Sequence, residues 1–219
     1  MKVIITGTTG MIGEGVLLAC LDNAHITEIL SVSRKPTNKS HPKLKEMIVA
    51  DFLSLKENEV ELQGYDACFF CAGISSIGKS EEEFTKIAHD TTLNFARAFG
   101  VAKNKTFVYV SGTGSDSSEQ GKLMWARVKG KTENELFKMP FKQAFGYRIG
   151  FVKPYKGQVH VLKLYAYLSW LFPLIETFFA SAINTMEELA KSMIYVSENG
   201  YDKNVMLVKD IQKTNKMLS

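Results

Sequence analysis

Glycines recur at every third position in Thr6-Gly7-Thr8-Thr9-Gly10-Met11-Ile12-Gly13, directly after a short apolar run and at the opening of a helical pattern. In that setting the backbone alone can hold a pyrophosphate. Gly7 permits a tight turn, Gly10 lets the main chain approach the phosphates, and Gly13 allows the helix to lie close to the sheet. The helix N-terminus adds free N–H groups and the positive end of its dipole. Thr9, Met11 and Ile12 therefore join the three glycines as candidate dinucleotide contacts. A P-loop is excluded, because Val16 and Leu17 occupy the positions that would need Lys and Ser or Thr.

The end of the second apolar run bears on which dinucleotide is meant. An acid about 20 residues beyond such glycines normally holds the ribose 2′-hydroxyl of NAD. Here the chain reads Ser33-Arg34-Lys35. An acid would repel a 2′-phosphate, whereas Arg34 can pair with one through charge-assisted bonds and Ser33 can add a hydroxyl. The expected cofactor is NADP(H) in preference to NAD(H).

Further polar candidates follow the fifth apolar run. Ser111-Gly112-Thr113-Gly114-Ser115-Asp116 is a glycine-rich loop at the end of a strand where ligands gather in open α/β sheets. Its Asp116 could donate a proton if burial raised its pKa. Trp125 and Lys129 stand one turn apart on a single helical face, and an indole N–H is a donor that does not ionise in the working range. Cys68 and Cys71 form a CxxC, but in an extended run their side chains point to opposite faces, against a redox or zinc pair. The four histidines, His25, His41, His89 and His160, have no metal-ligand spacing, so no metal is expected. His89 with Asp90 reads as a helical face packing on the sheet rather than a lining of the ligand groove.

These residues need a frame that brings strand ends together, and the alternation of apolar runs with helical patterns supplies one. The predicted strands are Lys2–Thr6, Glu28–Ser33, Glu46–Ala50, Ala67–Cys71, Thr106–Ser111 and Gln143–Ile149. Helices are expected over Met11–Leu21, Ser80–Ala102 (opening on a capping box of Ser80 with Glu83) and Glu119–Lys138. The pattern is α/β, a doubly wound parallel sheet of the Rossmann type. After Gly150 come a long apolar and aromatic stretch, Val159–Ile183, and an amphipathic helix opening at Thr185 and ending at Gly200. A late strand over Asn204–Val208 and a short terminal helix from Asp210 complete the chain. The expectation is one NAD(P)-binding domain over residues 1–219, with its core in 1–150 and about 204–209 and a helical substrate-side cap over about 151–200.

Bulk composition narrows the function classes. With 219 residues, 45% hydrophobic and 23% charged, the chain can bury a sizeable core. A net charge of +4 with basic residues scattered among acids argues against a nucleic-acid surface. Three cysteines fit a reducing compartment and a cytoplasmic location. The segment from Leu164 to Ile175 is uncharged but broken by Pro173 and too short to span a bilayer. Its Tyr165, Tyr167, Trp170 and Phe172 are read as a substrate cap or a homodimer face, with peripheral membrane contact as a weaker reading.

The glycine spacing resembles that of extended and atypical short-chain dehydrogenases/reductases, the group described as NAD-dependent epimerase/dehydratase-like, over most of the chain. The resemblance implies that Asp51 and Phe52 contact the adenosine and that Cys71-Ala72-Gly73 is the family's Asn-Ala-Gly turn beneath the cofactor, altered at its first residue. The family's working pair is Tyr-x-x-x-Lys with a Ser or Thr at the fifth strand's end. Lys129, followed by Gly130, matches the lysine that binds the nicotinamide ribose, and Ser111 matches the serine. Trp125 stands at the tyrosine position and cannot supply its proton. The wording from Trp125 to Glu133 also resembles a bacterial branch of Tat-interacting-protein-like reductases. Tyr147-Arg148-Ile149-Gly150 resembles the Arg-Pro-Gly region with Ile149 in place of proline. What this implies is an NADP(H)-dependent oxidoreductase or epimerase-like enzyme of a small carbonyl or alcohol, with Lys129 and Ser111 catalytic and Trp125 positioning substrate. The alternative is a catalytically silent NADP(H)-sensing or scaffold protein.

Overall fold

Central strands form where Val, Ile or Phe cluster, because a strand buried on both faces has no polar side to show, whereas the edge strand, Leu-Lys-Glu-Met-Ile, is largely exposed. In the computed structural model, which describes residues 1–161 and 183–218, the strands are β1 (Lys2–Thr6), β2 (Glu28–Ser33), β3 (Leu44–Ile48), β4 (Ala67–Phe70), β5 (Thr106–Val110) and β6 (Gln143–Tyr147), joined late by β9 (Val205–Met206). They make one seven-stranded sheet in the order β3-β2-β1-β4-β5-β6-β9, parallel at every pairing. The order reverses between β1 and β4, which opens a crevice at their carboxyl ends, where such sheets bind ligands. A separate parallel pair, β7 (Phe151–Lys153) with β8 (Ile183–Thr185), lies outside this sheet.

Helices cover both faces. α1 (Met11–Leu21) and α5 (Met186–Asn199) lie on one side, where Val16, Leu17, Cys20, Leu189 and Met193 bury against Val3, Ile5, Phe69 and Phe145. α3 (Thr91–Phe99) and α4 (Met124–Lys138) lie on the other, where Leu93, Phe95, Phe99 and Leu136 meet Ile4, Cys68, Phe70 and Phe107. Cys68 and Cys71 belong to these opposite sides, as period-two alternation requires.

Several expected boundaries move, each for a physical reason. β3 begins and ends two residues early because its register runs Ile29↔Leu44 to Ser33↔Ile48 on an edge with a single partner. The helix expected from Ser80 does start on the Ser80–Glu83 capping box, as α2 (Glu81–Thr85). It is then interrupted by a π-turn over Lys86–Asp90 before α3, and ends at Gly100, φ +84°. α4 starts at Met124 rather than Glu119, since Glu119 holds φ +61° and the Asp116 carboxylate binds the backbone N–H groups of Ser118 and Gly121 in an open loop. α6 (Val208–Asn215) closes the described chain.

The cap expected over 151–200 is corrected for its last part. Met186–Asn199, opening on the capping box of Thr185 and Glu188, packs in the main core beside α1. Gly15 makes room for it, as a Cβ there would lie 2.6 Å from Met186 Cγ. The helix is amphipathic because one face is core, not because it covers a ligand. Most of the aromatic stretch, with Tyr165, Tyr167, Trp170 and Phe172, lies outside the described residues. Among the described residues no helix is long and apolar enough to cross a membrane, and no group of three or more His, Cys, Asp or Glu could hold a metal.

Candidate functional site

The turn after β1 is built almost wholly from backbone. Gly7 takes φ +68° and donates its N–H to Val32 O at 3.3 Å; a Cβ on it would lie 2.8 Å from Ala72 Cα. A Cβ on Gly13 would overlap the carbonyl of Gly7. Gly10 differs, since a Cβ there would meet only Gly7 O, at 3.3 Å, with the remaining space open. Two glycines therefore close the turn and the middle one leaves it bare. Thr6 Oγ1 accepts from Ala72 N–H at 3.0 Å, tying β1 to the Cys71-Ala72-Gly73 turn, and Thr8 Oγ1 lies 2.7 Å from Ser31 Oγ.

The adjoining wall comes from β2 and the segment after β3. Asp51 caps a short 3₁₀ turn, Phe52–Ser54, by accepting from Leu53 N–H at 2.9 Å, and Asn94 of α3 donates to Phe52 O at 2.8 Å. That staple fixes Asp51 and Phe52 beside the end of β2. Ser33 is buried and donates its hydroxyl proton to Lys35 O at 2.5 Å, so it meets a ligand as an acceptor. Arg34 is exposed.

The far wall draws on three elements. Ser111 stands at the end of β5 and donates its hydroxyl to Glu133 Oε1 at 2.5 Å. Lys129 of α4 donates from Nζ to Ser111 O at 3.1 Å. Burial holds the Lys129 ammonium below the usual lysine range, opposed by the charge of Glu133. Glu133 is fully buried and paired to Arg148 after β6, Nη2 to Oε2 at 2.6 Å.

These walls enclose one cleft of about 990 Å³ at the β1/β4 crevice. Gly7, Thr9, Gly10, Met11, Ile12, Ser33, Arg34, Asp51, Phe52, Cys71, Ala72, Gly73, Ser111 and Lys129 all line it. Three expected residues do not. Gly13 is buried inside the turn and acts by letting α1 approach. Trp125 is not among the lining residues; it packs with Phe84, Ala88 and Val128 and lies beside Gly114. Asp116 is no raised-pKa donor, because hydrogen bonds from Ser118 and Gly121 hold its carboxyl below the usual range. His89 is buried, its Nδ1 2.7 Å from Asp90 Oδ1, and contributes no cleft wall.

Sequence reasoning missed Lys79, Lys86 and Thr91, which line the cleft, and the Glu133–Arg148 pair behind it. The π-turn that aims Lys86 and Thr91 has no readable signature. Glu133 had one, the same four-residue step from Lys129 that linked Lys129 to Trp125. Among the described residues Arg34, Lys79 and Lys86 make no ion pair, and with Lys129 they put four cations at the cleft for an anionic ligand.

A family model described as "NAD dependent epimerase/dehydratase family" matches residues 3–123. The chain belongs to that family. That family is described as NAD dependent. Among curated relatives, leucinostatins biosynthesis cluster protein T of Purpureocillium lilacinum is 31% identical over 143 residues, 64% of this chain and 52% of the relative. The mitochondrial protein FMP52 of Debaryomyces hansenii is 26% identical over 154 residues, 68% of this chain and 66% of the relative. The chain thus spans about half to two thirds of the length of these relatives. Solved structures with the same fold include dTDP-glucose 4,6-dehydratase of Streptomyces venezuelae with NAD and TYD bound, at TM-score 0.65 and 16% identity, covering 100% of this chain and 80% of that one. The L-threonine dehydrogenase of Cupriavidus necator superposes at TM-score 0.67 and 14% identity, covering 94% and 77%.

Proposed function

We propose that this family member binds NADP(H) in preference to NAD(H) and acts as an oxidoreductase or epimerase-like enzyme on a small alcohol or carbonyl. The observation that carries the cofactor choice is Arg34, exposed at the end of β2, lining the cleft without an ionic partner among the described residues, where an NAD site would carry an acid. The bare face of Gly10 is the cradle for the pyrophosphate, with Thr9, Met11 and Ile12 around it. Asp51 and Phe52 would flank the adenosine, Cys71-Ala72-Gly73 would underlie the cofactor, and Lys129 would hold the nicotinamide ribose. When bound, the nicotinamide supplies reversible hydride transfer. The chain's own part is to hold a substrate oxygen between Ser111 and the Lys129 ammonium, whose charge stabilises negative charge developing on that oxygen.

Calorimetric titration tests the reading. NADPH should bind more tightly than NADH, and Arg34→Ala should cost about ten- to a hundredfold of that preference, the worth of one charge-assisted hydrogen bond. Equal affinities in the wild type, or a preference untouched in Arg34→Ala, would sink it.

A further inference from the structure

Among the described residues the cleft offers no phenol beside Lys129, yet it holds a proton-handling pair outside the lysine motif. Ser111 lines the cleft, and its hydroxyl commits its proton to Glu133 Oε1 at 2.5 Å. Glu133 is fully buried, and Arg148 pairs with it, Nη2 at 2.6 Å and Nε at 3.1 Å from Oε2. A buried charge is tolerated where it is paired and hydrogen-bonded in this way. β6 reserves the space, since a Cβ on Gly146 would lie 2.6 Å from Glu133 Oε1. Lys129 Nζ sits against the carbonyl of the same serine at 3.1 Å.

A hydroxyl whose proton is committed offers only lone pairs to whatever faces it. We propose that Ser111 and Glu133 form a proton-accepting pair that selects an alcohol as the substrate and takes its hydroxyl proton. This deepens the oxidoreductase reading above and rests on it. In the oxidation the substrate O–H proton passes to Ser111 Oγ while Ser111's own proton passes to Glu133 Oε1. The electron pair of the adjacent C–H bond leaves as hydride, accepted by the oxidised nicotinamide dinucleotide, and a C=O bond remains. The products are a carbonyl compound, the reduced dinucleotide and a neutral Glu133 carboxylic acid, which returns its proton to solvent before the next cycle. Ser111 is the catalytic residue and Glu133 a positioning residue acting through it. No free serine alkoxide forms.

Two readouts on the cofactor-loaded protein test this. Saturation-transfer NMR with cyclohexanol and cyclohexanone, with a redox-inert tetrahydro-NADP in place of NADP⁺, reads the sense of the hydrogen bond without turnover. The alcohol should bind about tenfold more tightly, the worth of one hydrogen bond. Ser111→Ala, which leaves the Glu133–Arg148 pair in place, should erase the difference. In NADP⁺-linked oxidation of cyclohexanol, Ser111→Ala and Glu133→Gln should each lower kcat about a hundredfold with NADP⁺ affinity unchanged. The double variant should be no worse than either single, as for residues acting as a unit. Ser111→Ala carries the test alone if Glu133→Gln does not fold. Equal or reversed ligand preference overturns the proposal, as does a wild type that binds NADP⁺ but oxidises no cyclohexanol. A further loss on adding Glu133→Gln to Ser111→Ala would mark Glu133 as structural. Absence of NADP⁺ binding by the wild type overturns the cofactor reading, and this proposal with it.

Discussion

The two ends of the cleft are made of different material. At the glycine turn the site is backbone, contributed by consecutive residues, and its shape depends on side chains that are missing. At the Lys129 end it is side chains, brought from β5, α4 and the segment after β6, and its character depends on burial and on who pairs with whom. A missing side chain is tested by adding one, and a buried pair by removing a member. The two ends should therefore fail differently: the turn through loss of fold or of ligand, the far wall through a trade between stability and activity.

The largest effect is expected inside the turn. Gly13→Ala puts a Cβ into the carbonyl of Gly7, a backbone atom that cannot swing aside, and overpacking of this kind costs about 3 kcal/mol. Thermal melting should show a variant largely unfolded or strongly destabilised. Gly10→Val should instead fold, because its position is open, yet lose NADPH binding, because the branched side chain fills the space kept for the pyrophosphate. Equal melting temperatures for Gly13→Ala and wild type, or undiminished NADPH affinity in Gly10→Val, would break the contrast between a closing and a cradling glycine.

At the opposite wall Lys129 carries the cost of a buried charge. Its folded pKa lies below the usual lysine value of 10.5, chiefly through burial. Between the lowered value and 10.5 the unfolded chain binds more protons than the folded one, so this residue makes stability rise with pH across that window. Below the window the protonated, buried ammonium disfavours the fold. Lys129→Met should accordingly raise the melting temperature at neutral pH, flatten that pH dependence and weaken NADPH binding. Denaturation across the alkaline range beside a titration of NADPH measures all three, and a variant less stable than wild type would refute the account.

The smallest effect belongs to Trp125. Its ring packs over Gly114 and beside Phe84 and Val128 rather than at the cleft. Trp125→Tyr should cost about 1 kcal/mol of packing, leave NADPH affinity unchanged and create no new reductase activity. Stopped-flow oxidation of NADPH with a panel of aldehydes and ketones checks this; newly acquired turnover would show that the phenol reaches the substrate and would return position 125 to the site.

The sequence by itself determined the elements whose signals are local. The turn from Thr6 to Gly13 lies within one strand-to-helix junction, the β1 and β2 runs are apolar on both faces, and the capping boxes at Ser80 and Thr185 need only residues three apart. That sufficed for the fold class, the family and most of the cleft lining. Only tertiary structure decided the rest. Glu188 caps α5 locally, but whether that helix covers a ligand or the core depends on Gly15 of α1 admitting Met186, far away in the chain. Trp125 and Lys129 share a helical face by spacing, yet the loop at Gly114 takes the indole and the end of β5 takes the ammonium. Asp116 is a carboxylate in either case, and its partners, not its type, keep it ionised. Glu133 reads as one more charge on a helix until β5, β6 and Arg148 close around it. Short-range sterics and periodicity are written residue by residue, whereas burial and pairing belong to several segments at once and exist only after they meet.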